Sequence, residues 1–369
     1  MLTAKESIEQ RRNESMFSAY AYHSTWLVSV VLLVFATLLL FAGMIIVHAS
    51  DGLVVEDVRY DNYSNYTYQS GNNRVSLTAS QSPGEEVPTG VMTVVNFHLS
   101  KTLKPPVYMQ YRLVGFLQSF RRYRSSRDIK QLLQSPRDAG SDCFPYDRPR
   151  RCLRKQVARE VYFPCGAIAY SMFNDSIKLY KLGSVQGGNG GNGNGNQQLI
   201  CDGGAFDVEG VANDVTHHCE KKGIALPGDI KFYNSAKKVT SDKIWHHDGQ
   251  ARGDIYKRSG FYCKEMGHKI PSVRDEDFIV WASLSLVDDF KKMYRIINIT
   301  LDPGDYKLEI NENYDVRSFR GEKHVVFVTR SWFGEKNPLL GILLAATGAL
   351  SFVSCLGVVI LRLTGTARK

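Results

Sequence analysis

Two stretches of this chain carry no charged residue and are long enough to cross a bilayer: 26–47, "WLVSVVLLVFATLLLFAGMIIV", and 339–361, "LLGILLAATGALSFVSCLGVVIL". At about 1.5 Å of rise per residue, each predicts a transmembrane helix that spans a hydrocarbon core of about 30 Å. This restricts the fold strongly, because backbone surrounded by lipid must satisfy its own polar groups. The first stretch also has features of a signal peptide, since Lys5, Arg11 and Arg12 precede it and "VHA" at 47–49 is a tolerable cleavage site. A signal core is usually only about 7–15 residues long, so we expect an uncleaved anchor.

The flanks set the expected orientation. Arg11 and Arg12 precede the first span, and Arg362, Arg368 and Lys369 follow the second. Positive charge favours the cytosolic side, so 1–25 and 362–369 are expected to be cytosolic tails and 48–338 an exoplasmic domain. Asn62, Asn65, Asn174 and Asn298 each begin an N-x-S/T triplet within that domain and are candidate glycan acceptors. Asn13 begins one too, but a cytosolic tail would leave it bare.

Cysteine usage agrees with an oxidising compartment. Cys143, Cys152, Cys165, Cys201, Cys219 and Cys263 fall between the spans, and Cys355 lies within the second. Six cysteines allow fifteen pairings, and the residues alone do not choose among them. "HHC" at 217–219 and "HHD" at 246–248 could suggest metal, yet no CxxC or HxxxH spacing accompanies them. Disulfides are therefore expected, and no metal site.

The region between the spans is large enough for its own core. "VMTVVNFHL" (91–99) places Val91, Val95, Phe97 and Leu99 on one face, and "VYMQYRL" (107–113) does so with Val107, Met109, Tyr111 and Leu113. That alternation predicts strands, as do the β-branched and aromatic residues of "HVVFVTRSWF" (324–333). The main helical candidate is 278–297, where Phe278, Trp281, Leu284 or Ser285, and Val287 recur at helical spacing. The expected fold class is a membrane protein with two transmembrane α-helices and a large β-rich, antiparallel, sandwich-like exoplasmic domain with a few short helices. "GGNGGNGNGNQQ" (187–198) has nothing to bury and reads as a flexible insertion.

Charge and motifs narrow the function. Residues 112–159 hold thirteen Arg and Lys against four Asp, within a chain of formal net charge +9. An exoplasmic domain does not meet nucleic acid, so the basic stretch is either a solvated, ion-paired face or a surface for acidic loops of a partner or anionic lipid. GxSxG, HExxH, P-loop and dinucleotide motifs are missing, so neither catalytic residues nor a cofactor are expected. Asp275, Glu276, Asp277, Asp288 and Asp289 read as surface charge. "RGD" at 252–254 is a weak adhesion signal.

"FPCGAIAYSMFNDS" (163–176) closely resembles the "PCG.IA.S.FND" signature of the beta subunits of type IV P-type ATPases, the phospholipid flippases, known as the cell-cycle-control-protein-fifty (CDC fifty) and LEM three family. "FLQSFRRYRSSRD" (116–128), "CFPY" (143–146), "KKGIALPGDIKF" (221–232), "EDFIVWASLSLVDDFKKMYR" (276–295) and "NENYDVRSFRGEKHVVFVTRSWFGEKNPLLG" (311–341) follow in the same order. The resemblance implies a non-catalytic subunit that forms a heterodimer with the ATPase's catalytic chain, supports its exit from the endoplasmic reticulum and its transport cycle, and resides in the endoplasmic reticulum, Golgi, endosomal or plasma membrane. It also implies that Cys143 pairs with Cys165 and that Asn174 is glycosylated. Cys152, Cys201, Cys219 and Cys263 look like additions to the pattern. A stand-alone surface binding or adhesion glycoprotein is the alternative.

Gly341, Ala345 and Ala349 recur every four residues in the second span, with Gly348 and Cys355 nearby. Small residues let helices approach closely in lipid, where apolar burial does not drive association. We expect this face to receive the partner's helix; the other reading is that it packs the chain's own two spans together.

Overall fold

The computed structural model describes residues 25–61, 91–133, 141–150, 160–183, 197–213, 218–234, 239, 243–249, 255–265, 268–316 and 319–363. The chain divides into two compact units, one of 54–329 and one of the segments before and after it. Asn13, Asn62, Asn65, Cys152, the RGD at 252–254 and most of the Gly/Asn insertion lie outside the described residues.

The larger unit is built on two antiparallel sheets. The first has five strands in the order β1 (Val55–Arg59), β11 (Glu322–Thr329), β3 (Val107–Val114), β9 (Asp289–Ile297), β7 (Cys219–Glu220). The second has four, in the order β2 (Val91–Leu99), β10 (Gly304–Glu312), β5 (Ser176–Leu182), β6 (Gln197–Asp202). Gln197 and Gln198, expected in the insertion, already belong to β6. Each sheet turns one face inward: Met109, Tyr111 and Leu113 of β3 share a core with Val95 and Leu99 of β2 and Leu308 and Ile310 of β10. Phe97 of β2 stacks on Phe327 of β11 with ring centroids 5.5 Å apart, so side chains from both sheets interdigitate as in a sandwich. The Cys201–Cys219 disulfide joins β6 of one sheet to β7 of the other. A two-stranded parallel pair, β4 (Val161–Tyr162) with β8 (Ile244–Trp245), forms a third sheet, with Val161 and Ile244 in the same core.

Period-2 alternation forecast β2 and β3, because such strands show one face to the core, and β-branched and aromatic content forecast β11. The helix expected over 278–297 is corrected: only α7 (Glu276–Ala282) is helical, and 289–297 is strand β9. Ser283 ends the helix in an extended conformation, and β9 fills the edge beside β3 in antiparallel register from Val114↔Asp289 to Val107↔Ile297. Pairing along a buried strand outweighs a helical period of four apolar residues. The other short helices are α2 (Arg121–Ser125), α3 (Ile129–Leu133), α4 (Ala167–Tyr170), α5 (Pro227–Tyr233) and α6 (Ile255–Arg258).

The smaller unit consists of α1 (Thr25–Asp51) and α8 (Leu339–Leu363). Both are long and apolar enough to cross a membrane. Asn337 caps α8 by accepting from the Leu339 amide at 3.1 Å. The small-residue face meets α1 of the same chain. A Cβ on Gly341 would lie 2.9 Å from the Gly43 carbonyl oxygen and the Val47 amide, and one on Gly43 2.7 Å from the Ala345 amide. Gly348 is equally close to Leu40, and the buried Cys355 thiol donates to the Ser29 carbonyl at 3.3 Å. The face of Gly341 and Ala345, expected to receive a partner's helix, here lies against α1 of the same chain, the other reading the sequence allowed. Ala349 points away from it and is exposed.

Candidate functional site

The segment 163–176 sits where the other motif segments meet. Gly166, at φ +100°, precedes α4, and a Cβ there would collide with the Ser126 carbonyl at the end of α2, so only glycine fits the approach. The Ser126 hydroxyl accepts from the Ala167 amide at 2.9 Å, and Gln131 of α3 bridges the Cys165 amide (3.0 Å) and the Tyr162 carbonyl (2.9 Å). Cys143 and Cys165 form a disulfide inside an aromatic cluster of Tyr162, Trp245 and Tyr262. Cys263 is also disulfide-bonded. The indole of Trp281, in α7, donates to the Ile168 carbonyl at 2.9 Å, and the Tyr123 and Ser171 hydroxyls lie 2.8 Å apart.

Beyond α4 the chain enters a charged core. Asp175 and Lys323 are wholly buried, with Lys323 Nζ 2.8 Å from Asp175 Oδ2 and 2.8 Å from Glu312 Oε2. Asp175 also accepts from the Tyr60 hydroxyl at 2.8 Å and from the Tyr314 amide at 2.6 Å. Burial opposes the charge on Lys323, but its two carboxylates outweigh burial and raise its pKa. Burial pushes Glu312 up despite Lys323.

A second buried network corrects the reading of the 275–277 acidic run as surface charge. Lys221 Nζ lies 2.8 Å from Asp275 and 3.1 Å from Asp277, and Arg295 lies 2.7 Å from Asp277. The Glu276 carboxylate takes the Gly223 and Ala225 amides at 2.9 and 3.1 Å. Burial acts to raise Asp277, yet Arg295 and Lys221 hold it below the ordinary range. Burial, and then the Asp277 charge, push Asp275 up to about 6. The folded protein therefore binds that proton more tightly than the unfolded chain, so this group adds stability as pH falls and loses it as pH rises through about 6. Between pH 7 and 5 the gain is on the order of 1 kcal/mol. His246 and His247, lowered chiefly by burial, oppose it in part of the same range. Asp275→Asn is thus expected to flatten the pH dependence of thermal unfolding over that interval relative to wild type; parallel curves would remove Asp275 as the titrating group.

Of the basic stretch, Arg112 is tied into the sheet, with Asp57 at 2.7 Å and Asp289 at 2.6 Å. The side chains of Arg121, Arg122 and Arg124 on α2 are exposed and have no ion-pair partner among the described residues. Two adjoining cavities of about 390 and 400 Å³ share Ser119, Arg124 and Arg127 as walls. The Gln118 carboxamide accepts from the Ser285 amide at 2.9 Å, holding the loop before α2 against the loop after α7. Leu117, Phe120, Leu286 and Val287 project from these loops and are exposed. Arginines mixed with exposed apolar side chains are suited to a protein interface.

Asn174 is half-buried and Asn298 exposed. Cys219 is oxidised, and His247 Nδ1 lies 2.9 Å from the Ile270 carbonyl oxygen. Sequence reasoning missed Lys221, Arg295, Glu312 and Lys323. The signal available to it was a cationic residue at an inward-facing strand position, as with Lys323 in β11.

Comparisons with known proteins agree with these motif segments. The profile of the family described as LEM3 (ligand-effect modulator 3) family / CDC50 family matches residues 46–368. Cell cycle control protein 50A of Bos taurus is 33% identical over 285 residues, covering 74% of this chain and 68% of that protein. Cell cycle control protein 50B of Homo sapiens is 29% identical over 322 residues, covering 85% and 80%. ALA-interacting subunit 3 of Arabidopsis thaliana is 28% identical over 345 residues, covering 93% and 82%. The motifs packed around 163–176 and the match along most of the chain lead to one conclusion: this chain belongs to the LEM3/CDC50 family.

Proposed function

We propose that the chain is the non-catalytic accessory subunit of a phospholipid-translocating P-type ATPase, forming a heterodimer with the catalytic chain and supporting its folding, endoplasmic reticulum exit and transport cycle. Both termini are cytosolic in this reading, and the β-rich unit is exoplasmic, with Asn174 and Asn298 carrying glycans. The carrying observation is the face around α2, where arginines with no ion-pair partner among the described residues and exposed apolar side chains stand on a junction cross-linked by a disulfide. It offers acidic loops of a partner both charge complementarity and apolar area. By binding some conformations of the pump more tightly than others, a subunit shifts its cycle; a difference of about 1.4 kcal/mol is tenfold.

The test is co-reconstitution. ATP-dependent movement of labelled aminophospholipid in proteoliposomes is expected only when both chains are present, and the double change Arg121→Glu, Arg124→Glu should reduce recovery of the ATPase about tenfold, the loss of about 1.4 kcal/mol of contact. Full-rate transport by the ATPase alone would sink the reading. So would delivery of this chain to the cell surface unaccompanied, which an adhesion glycoprotein would show.

A further inference from the structure

The turn that joins β11 to α8 belongs to the smaller unit and is firmly built. Ser331 and Gly334 exchange two backbone hydrogen bonds, at 2.9 and 3.1 Å, and Gly334 takes a φ of +119° that a side chain disfavours. Arg330 pairs with Glu335 across the turn at 2.8 Å, and Asn337 caps α8 behind it. This turn carries Trp332, which is 79% exposed although the half-buried Phe333 packs edge-on against its ring, with centroids 5.4 Å apart. Lys336 is exposed too and has no ion-pair partner among the described residues. The apolar surface continues directly into α8, where Leu339, Leu340, Ile342 and Leu343 are each more than half exposed. Side chains of that kind on a helix long enough to cross a membrane face hydrocarbon.

We propose that this turn is a lipid-interface anchor: the Trp332 indole seats among the phospholipid headgroups at the β11 end of α8, and the Lys336 ammonium meets their phosphates. Indole joins a large apolar ring to a single N–H donor, and such side chains concentrate where hydrocarbon gives way to headgroups. A lysine near the end of a membrane helix reaches for the same layer. Position agrees with this assignment. Trp332 lies seven residues before Leu339, a reach of about 25 Å in extended chain. The turn shortens that reach toward the depth of the headgroup layer, about 5–8 Å on each side of the hydrocarbon. Anchored in this way, the turn fixes the tilt of α8. The proposal rests on α8 crossing a membrane, which is part of the function proposed above.

Full-length protein carrying Trp26→Phe, reconstituted without a partner in phosphatidylcholine vesicles, provides the test. Trp245 and Trp281 are wholly buried in the larger unit, so the emission lost on adding Trp332→Phe is that of Trp332. A nitroxide near the top of the lipid's acyl chain should quench this emission at least about twofold more than one near the chain's methyl end, as for an indole at the interface. Equal quenching by the two nitroxides would overturn the anchor. So would quenching by acrylamide from the water with neither nitroxide effective, which is the result for an indole reserved for a partner protein. Leu343→Trp, placed in the protein that lacks Trp26 and Trp332, separates this failure from that of the reading beneath it. If the nitroxides reach the indole at 343 but not Trp332, the anchor fails and the span stands; if they reach neither, α8 does not cross the membrane and both fail.

Discussion

Lys323→Met is expected to destabilise the β-rich unit by about 3–5 kcal/mol, the cost of stranding a buried charge whose partner is removed. Lys323 Nζ holds three partners at 2.8 Å, Asp175, Glu312 and the Tyr314 carbonyl; Asp175 is 148 residues away in sequence, while Glu312 ends the preceding strand, β10. Without the ammonium, two wholly buried carboxylates face each other and one must take up a proton. The deficit should therefore shrink on acidification, and adding Glu312→Gln to Lys323→Met should recover part of it. Thermal unfolding of the full-length protein across pH is the measurement; a loss below about 1 kcal/mol would mean that water reaches this core.

The second large effect is expected at the staple. Cys143 and Cys165 are 22 residues apart and lie beside the motif junction. Opening a loop of this size costs about 3 kcal/mol in the chain-entropy account. Cys143→Ser and Cys165→Ser should each lose about that amount, and the double variant no more than either, since one bridge can be lost only once. Additive losses in denaturant unfolding would show that each thiol contributes separately. The Cys201–Cys219 bridge, joining the two sheets, serves as a comparison of similar loop length.

Several features were written locally, and these were legible. The two spans follow from uncharged length, β2 and β3 from alternation over eight or nine residues, and β11 from its β-branched and aromatic content, because each of these acts on its segment independently of its partners. The family signature was visible as well, since its residues are contiguous in sequence, although the contacts that hold them, with Ser126, Gln131 and Cys143, come from elsewhere in the chain.

What tertiary structure decided are the pairings between segments. The period of Phe278, Trp281, Leu284 and Val287 satisfied a helix over 278–297, yet the edge of β3 claimed its second half as β9. The acidic run 275–277 looked solvated because its cations lie elsewhere: Arg295 is 18 residues from Asp277, and Lys221 belongs to the segment before α5. Likewise, the small residues of α8 announced a close helix contact without naming the helix, and the fold gave that place to α1 through Gly43. Sequence by itself determined which faces must be covered, since transfer from water depends on each side chain alone. Only the tertiary structure determined what covers them, because a charge or a groove is satisfied by whichever complementary group the chain brings within a few ångströms.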